Sequence, residues 1–266
     1  MELKDKTIIV TGGASGIGRG ISAVLADRGA DVVIADLDIA AANDVADGLR
    51  GAGHRAAAID VDVTSRASAD AMVEAALSEF GRVDTLINNA GVGGADGWWR
   101  RDTPTLADWD ATFGVNVLGI VHASEAVQEH MKERRSGKIV NIASVAGRQG
   151  QDGFAHYSAS KASAINVTQA FAIFLGPFTI NVNCICPGLI WTPLWDKIAE
   201  RHKRAHRADE SMSTREVFLE RVKARTPLGR EQTPEDVGKL AAFLCSDRAR
   251  NITGQSINLN GGSLMS

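Results

Sequence analysis

Residues 7–18 read TIIVTGGASGIG, an apolar run closed by glycines and followed, over 16–28, by apolar residues at helical spacing. A strand therefore feeds directly into a helix. Gly12, Gly16 and Gly18 fall where the chain must turn. Glycine lets a backbone approach a pyrophosphate, and a helix N-terminus offers free N–H groups with partial positive charge, so the whole TGGASGIG turn, including Ser15 and Ile17, is a candidate dinucleotide cradle. The bland alternative is a tight connection, and the position of the turn after the first strand weighs against it.

Outward from that stretch the pattern repeats. Strands are expected near 31–36, 55–61, 85–88, 138–142, 180–186 and 256–258, with helices around 39–50, 67–80, 105–132, 155–175 and 234–245. Strands apolar on both faces, alternating with helices, imply a mainly parallel sheet covered on each side. Six scattered prolines and no linker-like stretch imply one domain over 1–266. Residues 189–225 interrupt the alternation for too long to be an ordinary connection, which makes them a candidate substrate lid.

The composition narrows the partners. Twenty-nine Lys and Arg against 32 Asp and Glu give a net charge of −3, which speaks against nucleic acid as a partner. Cys184, Cys186 and Cys245 are odd in number and lack metal or redox spacing, so reduced thiols and a cytoplasmic location are expected. The opening MELKDK is too charged for a secretory signal, and no stretch is long enough to span a membrane.

Asp36 ends the second strand, 18 residues beyond Gly18, close to the offset at which a carboxylate accepts hydrogen bonds from an adenosine ribose. A carboxylate there repels a 2′-phosphate, so NAD is the expected cofactor. A solvated strand-end aspartate is the alternative, Asp38 competes for the role, and Arg19 is a cation that would suit a phosphate instead.

In YSASK, Tyr157 and Lys161 lie four apart on one helix face, with Cβ atoms about 5 to 6 Å apart. An ammonium beside a phenol favours the phenolate and lowers its pKa from about 10, making Tyr157 a usable acid/base. Tyr157 is the only tyrosine in the chain. Ser144 ends the fifth strand at the edge where open parallel sheets place ligands, and would hold a substrate oxygen or serve as a turn or cap.

Together TGGASGIG, DVT at 62–64, NNAG at 88–91, Asn116, Ser144, YSASK, PG at 187–188 and ITGQSINLNGG resemble the short-chain dehydrogenases/reductases over almost the whole chain. The resemblance implies a single Rossmann-type doubly wound parallel sheet with helices on both faces. It also implies that Tyr157 exchanges the alcohol proton while hydride passes between carbon and nicotinamide. Ser144 would bond the reacting oxygen, Lys161 would bind the nicotinamide ribose and tune Tyr157, and Asn116 would support a water chain. Asp62 and Val63 would contact adenine, Asn89, Ala90 and Gly91 would pass beneath the cofactor, and Ile190 and Thr192 would hold the carboxamide. A homotetramer built partly on the 105–132 and 155–175 helices is implied, and no metal. Asn181 departs from the arginine often found in relatives, with an effect expected on surface pairing alone.

Segments 92–99, 145–154 and 189 onward should line the substrate pocket, offering Trp98, Trp99, Phe154, Trp191 and Trp195 as an apolar wall or as packing. The basic stretch 197–207 would attract an acidic substrate or form a solvated helix. His202 and His206 have metal-pair spacing but no further ligands nearby. The run PGLIWTPLWDKIAE resembles diol, acetoin and polyol dehydrogenases, pointing to a secondary alcohol in a small polyol, sugar or cyclic alcohol. An NADPH-dependent ketoreductase of the 3-oxoacyl type, or a dinucleotide-binding scaffold without turnover, are the alternatives.

Overall fold

The structure, a computed structural model, describes residues 2–205 and 211–265, so His206 and Arg207 of the basic stretch lie outside the described residues. Seven strands, β1 (Thr7–Thr11), β2 (Asp31–Asp36), β3 (Ala56–Asp60), β4 (Thr85–Asn88), β5 (Gly137–Ile142), β6 (Ile180–Pro187) and β7 (Ser256–Leu259), form one sheet. Their order is β3-β2-β1-β4-β5-β6-β7, and every pairing is parallel. The chain reverses direction across the sheet between β1 and β4, where a crevice opens at the carboxyl ends of the strands. Register makes this concrete: Thr11 pairs with Ala35 on one side and Asn88 on the other.

Side chains alternate along each strand, so both faces need cover. Ile8, Val10 and Ile34 bury against α1 (Gly16–Asp27) and α9 (Pro234–Cys245), along with Ile21, Leu25 and Val237. Ile9, Val33, Leu86 and Ile139 bury on the other face with Met72 of α3 (Arg66–Phe80) and Val127 and Met131 of α5 (Gly119–Arg134). Double-sided burial is why these strands read as unbroken apolar runs. α2 (Ile39–Gly51) packs beside β2 and β3.

One expected helix divides. The 105–132 stretch is α4 (Leu106–Phe113), one π-helical turn (Gly114–Leu118), then α5. A π-turn inserts one residue while the helix on each side keeps its own period, so hydrophobic spacing does not reveal it. Its effect is local: Asn116 turns inward and is fully buried.

Between β6 and α9, the 189–225 segment forms α7 (Pro193–Ala205) and α8 (Thr214–Arg225). α6 (Ala155–Leu175) matches its expected bounds, and α9 starts where a capping box of Thr233 and Asp236 places Pro234 in the first turn. Asn181 accepts from Lys138 at 3.0 Å and donates to the carbonyls of Arg250 and Ile252, a pairing confined to the far end of the sheet. Among the described residues no helix is long and apolar enough to cross a membrane.

Candidate active site

The TGGASGIG turn is held in shape by its neighbours. Gly12 has φ +62°, and a Cβ there would lie 2.8 Å from the Ala90 Cα. A Cβ on Gly18 would lie 2.0 Å from the Gly12 carbonyl oxygen, so only glycine fits. The Asn89 amide donates to the carbonyls of Thr11 and Gly12 at 3.0 and 2.9 Å. The Thr11 hydroxyl accepts from the backbone N–H groups of Asn89 and Ala90 at 3.1 and 3.2 Å, tying the ends of β1 and β4 together. Ser15 caps α1 without a side-chain hydrogen bond, which leaves the first-turn amides to a ligand.

Asp36 accepts from the N–H of Ala14 at 2.9 Å and of Asp38 at 3.1 Å, and it faces the cleft. Asp38 instead caps α2, accepting from the N–H of Ala41 at 3.1 Å. Leu37, 71% exposed, lines the cleft beside Asp36, whereas Arg19 does not line it. Asp62 is bonded by the N–H and hydroxyl of Thr64 at 2.9 and 2.7 Å, and Val63 packs beneath Gly119.

These groups wall one cleft of about 450 Å³. Its cradle end carries Gly12, Ser15, Gly16 and Ile17 with Asp36, and its floor Asp62, Val63, Asn89, Ala90 and Gly91. Tyr157, Lys161 and Thr192 also line it. Four expected residues do not line it. Gly18 is buried in the turn, Asn116 lies under Val92, Ile190 is buried in the core with a single bridge to Gln232, and Ser144, half-buried, stands against the Tyr157 phenol.

Asn116 pairs with both polar groups of the Val92 backbone, accepting from its N–H at 2.9 Å and donating to its carbonyl at 3.0 Å. It also donates to the Ser160 hydroxyl, which donates to the Tyr157 carbonyl at 2.8 Å. Lys161 donates to the Ile142 carbonyl at 2.9 Å. A Cβ on Gly91 would meet both the Asn116 Oδ1 and the Lys161 Nζ at 3.3 Å, so all three converge on one point of the floor. Ser144 is held by the N–H of Ala146 at 3.1 Å and hydrogen-bonds the Tyr157 phenol.

The electrostatics reverse one expectation. Burial pushes the Tyr157 phenol up to about 12, and the Ser144 hydrogen bond opposes this only in part. The Lys161 ammonium, 5.8 Å from the ring centroid and committed to the Ile142 carbonyl, does not depress it in the free chain. Burial also brings Lys161 down to about 8.

The end of the cleft away from the cradle is aromatic. Phe154 stacks on Tyr157 with centroids 4.8 Å apart, and Trp98 packs on Phe154 at 4.9 Å. Trp99 lines the cleft with the Lys197 ammonium 4.4 Å over its ring. Trp191 and Trp195, expected as wall candidates, instead pack on Phe218 of α8. The basic stretch is neither a free anion trap nor a purely solvated face. Arg201 donates to the carbonyls of Arg101 and Asp102, and Arg204 to the Trp99 carbonyl and the Asp102 carboxylate, pinning α7 to the 98–102 segment.

Asp108 was not singled out by the sequence. It is 1% exposed and gathers Arg101, the N–H and hydroxyl of Thr105, and the N–H of Ala95, which fixes the 94–105 wall. Its signal was legible as a Thr-x-x-Asp capping box. Among the described residues no cluster of three His, Cys, Asp or Glu is arranged to hold a metal.

A cradle that only glycine permits, at the switch point of a parallel sheet, with Tyr157 and Lys161 lining it and Ser144 against the Tyr157 phenol, defines a nicotinamide-dependent oxidoreductase of the short-chain type. The chain belongs to the short-chain dehydrogenase/reductase family. The family model described as enoyl-(acyl carrier protein) reductase matches residues 12–263. The chain is 38% identical over 268 residues to galactitol 2-dehydrogenase of Agrobacterium fabrum, covering 100% of both. It is 37% identical over 262 residues to a subunit of (2S)-[(R)-hydroxy(phenyl)methyl]succinyl-CoA dehydrogenase of Thauera aromatica, covering 98% of each. The crystal structure of levodione reductase superposes with a TM-score of 0.87 at 28% identity over 98% of each chain. The family binds a nicotinamide dinucleotide and acts on alcohols or ketones.

Proposed function

We propose that this chain is an NAD-dependent oxidoreductase that interconverts a secondary alcohol and its ketone, with a small polyol, sugar or cyclic alcohol as substrate. The observation that carries the reading is that Tyr157 and Lys161 line one cleft, with Ser144 against the Tyr157 phenol and the Lys161 ammonium beside Gly91. The galactitol dehydrogenase similarity supports a polyol substrate, and the apolar wall of Trp98, Trp99 and Leu194 supports a ring or a sugar C–H face.

The cradle fits a dinucleotide: Gly12, Gly16 and the α1 amides would hold the pyrophosphate, and Asp36 the adenosine ribose. When bound, the nicotinamide supplies the hydride exchange. The carboxylates Asp36 and Asp62 with Leu37 at the adenosine end would repel a 2′-phosphate, which favours NAD over NADP. Ser144 orients the reacting oxygen toward the phenol, and Tyr157 takes the alcohol proton or returns it to the ketone. Lys161 brings a positive charge to the floor, and Asn116, locked to Val92, keeps that floor from shifting. Residues 189–225 act as a lid, and the three buried thiols suit a reducing cytoplasm. Exposed Leu118, Ile173 and Phe174 on the helices flanking the sheet suit a homotetramer.

The test is a panel of polyols, sugars and cyclic alcohols assayed by initial rate with NAD+ and with NADP+. Turnover at least tenfold more efficient with NAD+ is expected. A preference for NADP+ would overturn the role given to Asp36.

A further inference from the structure

Phe154 immediately precedes α6 and is 6% exposed, yet nothing in the acid/base set uses it. Its ring lies nearly parallel to the Tyr157 ring, at 27° and 4.8 Å. Trp98 packs on it at 4.9 Å with the ring planes 36° apart, and His156 meets it edge-on at 5.2 Å. The Arg201 guanidinium lies 5.9 Å from its centroid while donating to the carbonyls of Arg101 and Asp102. Gly153, at φ +63°, makes room for that arginine: a Cβ there would come within 2.6 Å of the guanidinium. Arg201 thus touches the lid helix, the 98–102 segment and the loop before α6 at once.

We propose that Phe154 is a positioning residue for the acid/base, a dry wall that fixes the Tyr157 phenol and keeps water from it, braced from behind by Trp98 and by Arg201 of the lid. The inference rests on the reading of Tyr157 as the acid/base. A phenol shielded on one face stays in its proton-bearing form, the form that donates to a ketone oxygen. The polar and titratable groups around it do not supply that shielding. Ser144 hydrogen-bonds the hydroxyl, Lys161 is turned to the Ile142 carbonyl, and the Cys184 and Cys186 thiols of β6 lie on the side of Lys161. His156 is turned away, bonded to the Gly93 carbonyl at 2.8 Å. Lid docking and phenol acidity are therefore coupled through one ring.

Because Tyr157 is the only tyrosine, phenolate absorbance reads this group alone, without substrate or cofactor. Near pH 10.5, with circular dichroism reporting the fold, a phenol at about 12 is only about 3% ionised, and one near its ordinary value is about three quarters ionised. Phe154→Ala is expected to raise the phenolate signal at least fivefold. Phe154→Leu, which keeps apolar bulk and preserves folding, is expected to raise it at least twofold, and Arg201→Met to move it in the same direction. Folded Phe154→Leu protein with the wild-type signal would overturn the wall. A wild-type signal in Arg201→Met would overturn the bracing by the lid. The Tyr157→Phe control separates the two ideas: turnover by that variant defeats the acid/base reading and leaves the absorbance result standing.

Discussion

Replacing Asp108 by Asn tests whether one buried carboxylate holds the substrate wall. In the native chain it accepts five hydrogen bonds, from Arg101 at 2.6 and 3.2 Å, Thr105 at 2.8 and 2.9 Å, and Ala95 at 3.0 Å. Burial alone would raise its pKa, but the bonds from Arg101 and then Thr105 outweigh it and hold the group at about 2 instead of 3.8. That difference is worth about 2.4 kcal/mol at neutral pH. Arg101 is 33% exposed and the pair lies just under the surface, so solvent screening reduces the figure to roughly 1 to 2 kcal/mol. The sign follows from a folded pKa below the unfolded one. The stabilisation is complete above about pH 5 and is lost as pH falls through 3.8 toward 2. Urea unfolding of wild type and Asp108→Asn should therefore differ by about 1 to 2 kcal/mol at pH 7, and the gap should shrink by about half at pH 3. The variant should also show a raised KM with a smaller change in kcat, since Asp108 shapes the wall and touches no reacting atom. A gap that is absent at pH 7, or equal at both pH values, would refute the reasoning.

Asp36→Ser should narrow the preference for NAD+ over NADP+ by about tenfold or more, measured as the ratio of kcat/KM values, because the repelling charge is gone. Gly18→Ala should abolish detectable dinucleotide binding in a calorimetric titration, since its Cβ would lie 2.0 Å from the Gly12 oxygen. Asn116→Ala should lower stability by about 1 to 2 kcal/mol in urea unfolding, because it removes both hydrogen bonds to the half-buried Val92 backbone and one of the bonds at the Ser160 hydroxyl.

Much of this molecule is written at short range. The strand-turn-helix at 7–28, the alternation that followed, and the bounds of α6 and α9 all come from local period, glycine placement and caps, and the structure reproduces them closely. The family follows from motifs at fixed spacing. What sequence does not display is the pairing of distant groups. The π-turn at Asn116 hides between two regular helices. The arginines of α7 look solvated until the fold brings the 98–102 carbonyls to them, about a hundred positions away in the chain. Trp191 and Trp195 find Phe218 in the same way. The raised pKa of Tyr157 is hidden from the sequence for a related reason: helical spacing brings Lys161 near, but the Ile142 carbonyl that claims its ammonium belongs to β5.

The most direct measurement is turnover by Tyr157→Phe together with its affinity for NAD+, followed by tryptophan fluorescence quenching. Removing one hydroxyl should leave the dissociation constant for NAD+ within about threefold, and should cut kcat by at least about a hundredfold, the scale of a lost acid/base group. Turnover near the wild-type rate, with the cofactor bound normally, would contradict proton exchange at this phenol.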